Sequence, residues 1–99
     1  LPRPDAFVVC IDDDMSSHLV PVTSRLRHAG YHARSSYKQT RNPGKLLKEA
    51  NANRARLAIM LGRELNDGVV VIKDLEAGEQ HESPLEELEQ VVARLLDRS

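Results

Sequence analysis

Two apolar runs, Leu57 to Leu61 and Val69 to Ile72, are separated only by Gly62 to Gly68, and that spacing constrains the fold more than any other feature of the chain. Each run has the length of a strand and is bounded by glycine, the pattern of a strand buried in a sheet. A crossover between parallel strands needs a dozen or more residues, so the short connector makes the second strand antiparallel to the first. One acid and one base then fall at strand ends. Glu64 follows the first strand and Lys73 closes the second, so a carboxylate acceptor and an ammonium donor are expected on a rigid sheet edge. Such a pair can read a polar partner.

Upstream the pattern alternates strand and helix. Phe7 to Ile11 reads as a short buried strand, and Asp12 to Ser17 is rich in helix N-cap residues. Leu19, Val22, Leu26 and Ala29 mark one helical face, which Gly30 ends. Pro21 is tolerable only near a first turn, so the regular helix is expected to begin later than the caps. His32 to Tyr37 reads as a more polar edge strand. Asn42 and Pro43 read as N-cap and first residue of a second helix, with Leu46, Leu47 and Ala50 as its buried stripe. Both connections contain helices and are expected to be right-handed crossovers between parallel strands. Past Val69 to Ile72, the turn at Asp74 to Gly78 sends a brief strand, Glu79 to Glu82, back again. Ser83, Pro84, Leu85 and Glu86 form a capping-box pattern before a last helix whose apolar face is Leu85, Leu88, Val92 and Leu95. The expected class is α/β, with a five-stranded mixed sheet, its fourth strand antiparallel, flanked by about three helices.

Ninety-nine residues at 40% hydrophobic content support one domain with a modest core. Residues 1–5, with Pro2 and Pro4, have the stiff character of a linker from a preceding domain, leaving 6–99 as the folded unit and suggesting a piece of a longer polypeptide. Cys10 is the single cysteine and lies inside an apolar run, so a disulfide framework and a cysteine metal site are excluded. No apolar run approaches the ~18 residues of a membrane span, and a reducing, cytosolic compartment is expected.

Net charge is only -1, but the signs are segregated. Arg34, Lys38, Arg41, Lys45, Lys48, Arg54, Arg56 and Arg63 face one acid, Glu49, across 34–63, whereas nine acids accompany the single base Lys73 across 64–90. A one-sided basic face suits a module that holds a short piece of nucleic acid, although solvated helix faces produce similar runs.

Catalytic patterns are weak. Asp12, Asp13 and Asp14 after the first strand resemble the Mg²⁺ cluster of phosphoacceptor receiver domains, but the further aspartate such a site needs is Gly62 here, and helix capping explains them better. His18, His28, His32 and His81 have no ligand spacing. Gly44-Lys45 lacks the upstream glycine of a phosphate loop, and nothing assembles a nucleophile, a base and an oxyanion site. The run Tyr37 to Lys45 is more informative. It joins an aromatic face, the amides of Gln39 and Asn42, and the bases Lys38, Arg41 and Lys45 just before a helix N-terminus, whose free N–H groups favour phosphate. Unpaired RNA fits this combination, its bases stacking on an aromatic plane while lysines hold the backbone. Of Phe7, Tyr31 and Tyr37, only Tyr37 is well placed for stacking.

These residues carry a family resemblance. Leu26-Arg27-His28-Ala29-Gly30-Tyr31, Lys45-Leu46-Leu47-Lys48-Glu49-Ala50, and above all Gly62-Arg63-Glu64 through Lys73-Asp74-Leu75 to Gly78-Glu79-Gln80 resemble the C-terminal anticodon-binding domain of histidyl-tRNA synthetase, a class II aminoacyl-tRNA synthetase. The resemblance spans nearly the whole chain and implies a three-layer fold. It implies that Gln39, Arg41, Asn42, Glu64 and Lys73 line the surface that receives anticodon bases, with the GUG anticodon of histidine tRNA as partner. Only Arg63 separates Gly62 from Glu64, where family members commonly have two residues. The resemblance further implies that the chain needs no cofactor and makes no bond itself. ATP, Mg²⁺ and histidine would be handled by a catalytic domain of the same polypeptide, in a cytoplasmic, homodimeric parent enzyme. A synthetase-like regulatory or protein-interaction domain, and behind it a receiver-type phosphoacceptor, are the alternatives.

Overall fold

A computed structural model of the chain describes residues 3–35 and 43–97. Its centre is a mixed sheet of five strands: β1 (Ala6–Cys10), β2 (Ala33–Ser35), β3 (Leu57–Leu61), β4 (Val69–Asp74) and β5 (Glu79–Pro84), in the spatial order β2-β1-β3-β4-β5. β1 runs parallel to both β2 and β3, whereas β4 is antiparallel to both β3 and β5. The directions argued from loop length are therefore those observed.

Period-2 alternation along the strands sends side chains to two cores. Ala6, Val8, Leu57, Ile59, Leu61, Val70 and Ile72 pack with helices α1 (Leu19–His28) and α3 (Leu88–Asp97), through Val22, Leu26, Leu88, Val91, Val92 and Leu95. On the opposite face Phe7, Val9, Ala58, Met60 and Val71 pack with Leu46 and Ala50 of α2 (Pro43–Ala52). Helix, sheet and helix make three layers.

Local chemistry sets the boundaries. The Asp12 carboxylate accepts the Asp14 N–H at 3.0 Å and caps a 3₁₀ turn over Asp13–His18, after which α1 begins. Pro21 falls in the first turn of α1, where its missing N–H costs nothing. α1 closes in a Schellman motif: Tyr31 N–H donates to Leu26 O and Gly30 N–H to Arg27 O, both at 3.0 Å, with Gly30 at φ +99°. α2 closes in the same way, through Ala55 N–H to Ala50 O and Arg54 N–H to Asn51 O. There the left-handed position is held by Arg54, at φ +62°.

Several expectations are corrected. The second strand begins at Ala33 rather than His32 and is described over Ala33–Ser35; its expected continuation to Tyr37 lies outside the described residues. β4 continues past its apolar run to Asp74, because Lys73 and Asp74 pair with Ala58 and Leu57. Ser83 and Pro84 do not cap a helix. Both belong to β5, where Ser83 is fully buried opposite Val70, its hydroxyl donates to Pro84 O at 2.9 Å, and Pro84 is extended at ψ 138°. A short 3₁₀ turn at Leu85–Glu87 follows, and the regular helix starts only at Leu88. Leu85 N–H donates to Gly68 O at 2.7 Å instead, closing the β4–β5 hairpin at its open end.

Candidate nucleic-acid interface

α2 covers the β1 and β3 part of its sheet face and leaves the β4–β5 part open. Two cross-strand rows line this opening: Ala58, Lys73 and Gln80 in one, Met60, Val71 and Glu82 in the other. Met60 and Val71 retain 8% and 7% exposure and make an apolar floor; Lys73 is half-buried, and Gln80 and Glu82 are exposed. Among the described residues, the side chains of Lys73, Gln80 and Glu82 have no hydrogen-bond or ion-pair partner.

Glu64 stands at the other end of the same face. β3 ends at Leu61, and Gly62 opens a 3₁₀ turn over Arg63–Asp67 that buries Leu65 and closes at left-handed Gly68. The turn folds Glu64 back, so that its Oε1 lies 2.8 Å from the position a Gly62 Cβ would occupy, beside the Ile11 side chain. Arg63 instead turns toward Asp12, 3.5 Å away.

The expected rigid-edge pair is thus corrected. β4 is an interior strand, and Lys73 lies opposite Ala58, four positions along β3 from Gly62, or about 13 Å at ~3.3 Å per residue. Glu64 and Lys73 share a face but mark its two ends. Lys45 is exposed on the first turn of α2. Tyr37, Lys38, Gln39, Arg41 and Asn42 lie outside the described residues.

Gln80 and Glu82, which the sequence did not single out as candidates, stand beside Lys73. Their i, i+2 spacing in a polar strand is a usable signal, but only the β4–β5 register reveals that both stand beside Lys73. The charge segregation is only partly spatial, since Arg56 and Arg63 of the basic run lie 3.7 and 3.5 Å from Glu76 and Asp12. Arg34 and the exposed Lys45 and Lys48 belong to the β2 and α2 side, whereas Glu79 and Glu82 are on the opposite edge strand, β5. Asp12 is a capping residue, and among the described residues no histidine, cysteine or carboxylate group is arranged to hold a metal ion. His81 is near Glu79, with Nε2 3.3 Å from its carboxylate.

A mixed sheet with an open, polar-lined face beside one helix is the frame of an anticodon-binding domain. The family model described as "Anticodon binding domain" matches residues 5–95, and the chain belongs to that family. Within it, the likeness is to histidyl members. The chain is 40% identical over 96 residues to histidine–tRNA ligase of Rhodospirillum rubrum and 40% identical over 97 residues to that of Pyrococcus abyssi, covering 96% of itself and 22% of each relative. The crystal structure of histidyl-tRNA synthetase from Nostoc sp. superposes with a TM-score of 0.87 at 27% identity, over 96% of this chain and 23% of that one. The chain spans about a fifth of the length of these relatives.

Proposed function

We propose that this domain recognises the anticodon loop of histidine tRNA for a histidine–tRNA ligase, contributing selection and no bond-making. The observation that carries the reading is the open sheet face, where an apolar floor at Met60 and Val71 is bounded by Lys73 and Gln80, unpartnered among the described residues, with Glu64 at the far end. Unstacked bases can lie on such a floor while side chains meet their edges. Lys45, with Lys38 and Arg41 before it in sequence, supplies positive charge for the backbone. Tyr37 offers a stacking plane, and Gln39 and Asn42 offer amides to base edges.

On this reading the domain binds no cofactor. ATP, Mg²⁺ and histidine belong to a catalytic domain elsewhere in the same polypeptide, working in the cytoplasm as a homodimer. The test is titration of the chain with anticodon stem-loops carrying the GUG triplet or single-base changes in it, at low salt. Preferential binding of the unchanged loop is expected. Equal binding of every loop would reduce the surface to a nonspecific polyanion site and overturn the proposal in favour of a synthetase-like domain with another role.

A further inference from the structure

Lys73 is the only lysine or arginine between Glu64 and Gln90. Its row partner is Gln80, and the next row places Glu82 opposite Val71, so Lys73 and Glu82 are diagonal neighbours on one face, about 7–8 Å apart at the backbone. Long side chains of opposite charge can close that distance. Here they do not: among the described residues neither has an ion-pair partner. Both groups are therefore free to meet a ligand between them, above the apolar strip of Val71 and Met60.

The surroundings decide which part of a nucleotide fits. Glu82 is exposed on this face of β5, and its like charge disfavours a phosphate there. A base remains. A carboxylate only accepts, and its two oxygens take two parallel N–H groups, while the lysine only donates. The complementary edge must carry two adjacent donors beside an acceptor. Guanine has this arrangement on its Watson–Crick edge, with N1–H and N2–H₂ next to O6. Adenine and cytosine present one amino group beside acceptors, and uracil presents one N–H between two carbonyls.

We propose that Glu82, acting with Lys73, reads the Watson–Crick edge of a guanine: the carboxylate accepts from N1–H and N2–H₂, and the ammonium donates to O6. This rests on the anticodon-recognition reading and adds to it both a specificity residue and the class of base taken at this patch.

Inosine tests it, because inosine is guanosine without the N2 amino group. Stem-loops with the GUG triplet and with inosine at either guanosine position are titrated against the wild-type chain, Glu82→Gln and Glu82→Ala, with the fold of each verified by circular dichroism. For the wild type, inosine at one of the two positions should weaken binding about tenfold. Both variants should be weaker on the guanosine loop and respond to the same inosine by less than about twofold. An equal inosine penalty in wild type and variants overturns the role of Glu82 while leaving anticodon recognition standing. Cognate preference with no inosine penalty at either position also overturns it. If the wild type shows no anticodon preference at all, the functional reading itself has failed and this assignment falls with it.

Discussion

The Glu64 carboxylate occupies the space above Gly62 that any side chain at that position would need, with Oε1 2.8 Å from the site of a Cβ and Ile11 carbons at 3.1 and 3.2 Å. Gly62 is extended, at φ -123° and ψ -164°, so its lack of a side chain serves close approach rather than backbone freedom. Gly62→Ala should push the flexible carboxylate aside and leave stability within about 1 kcal/mol of wild type, the crowding offset by a less flexible unfolded chain. Selectivity among anticodon loops should relax, as is expected of Glu64→Gln. Retained selectivity together with a normal urea midpoint would separate the aim of Glu64 from recognition.

Arg54 occupies the left-handed position that ends α2, where glycine is the common choice. A residue with a Cβ loses roughly 1–2 kcal/mol there, and glycine gives part of that back through its freer unfolded state. Arg54→Gly should therefore raise stability by about 0.5 kcal/mol in chemical denaturation. The Arg3 Nε–H bond to Arg54 O, at 2.6 Å, uses only backbone at that residue and should survive. A clear loss of stability would show that the arginine side chain contributes more than its strain removes.

Strand directions were legible because connector length alone decides them, as Gly62 to Gly68 did for β4. The ends of strands were less so. Lys73 reads as the close of a run beginning at Val69, but in an antiparallel pair that close lies beside the start of β3, far from Glu64. Ser83-Pro84-Leu85-Glu86 has capping chemistry, yet Ser83 is held in β5 by burial against Val70, and tertiary packing outweighs the local preference. Gln80 and Glu82 carry no motif that announces them beyond the first. Their place beside Lys73 is a property of register, which one sequence encodes only through the whole sheet.

Arg25 and Glu89 join α1 to α3 by two contacts, one of them Nε–H to Oε2 at 3.1 Å, while Arg25 Nη2 also donates to Leu85 O at 2.8 Å. The hydrogen bonds from Arg25 hold the Glu89 carboxyl below the ordinary glutamate value near 4.5, against a smaller opposing effect of burial. The folded-state value is the lower one, so this stabilisation is complete above about 4.5 and is lost as pH falls through the folded value. Both side chains are about a third exposed, which limits the effect to roughly 0.5–1 kcal/mol. Glu89→Gln should cost that much near neutral pH and nothing in strong acid. Urea midpoints of the two proteins that stay equally far apart across the acid range would sink the linkage.

On the proposed anticodon reading, Lys73 and Glu64 meet different groups at separate ends of the face, so their losses should add rather than substitute for one another. Lys73→Met keeps an unbranched apolar stem and removes only the donor; Glu64→Gln keeps the size and exchanges an acceptor for an amide. Each should cost about 1–3 kcal/mol of discrimination between cognate and single-base-changed loops, with nonspecific binding little altered. The two variants should blunt preference at different anticodon positions. Identical profiles, or none changed, would contradict two independent readers.

Backbone contacts should behave differently from both. Lys45 is exposed at the start of α2, and Lys38 and Arg41 precede it in sequence. Each phosphate they neutralise releases counterions, giving a slope of log affinity against log salt of about -0.7 per contact for single strands. Reversing all three charges, by Lys38→Glu, Arg41→Glu and Lys45→Glu, should make that slope shallower by about 2 and weaken every loop to a similar extent. The ratio of cognate to non-cognate binding should survive, because the face of β4 and β5 proposed to read bases is untouched. A triple variant whose salt slope matches the wild type would place the phosphate contacts elsewhere on the domain. One that loses selectivity as well as affinity would show that this basic segment reads bases and does not merely hold the backbone.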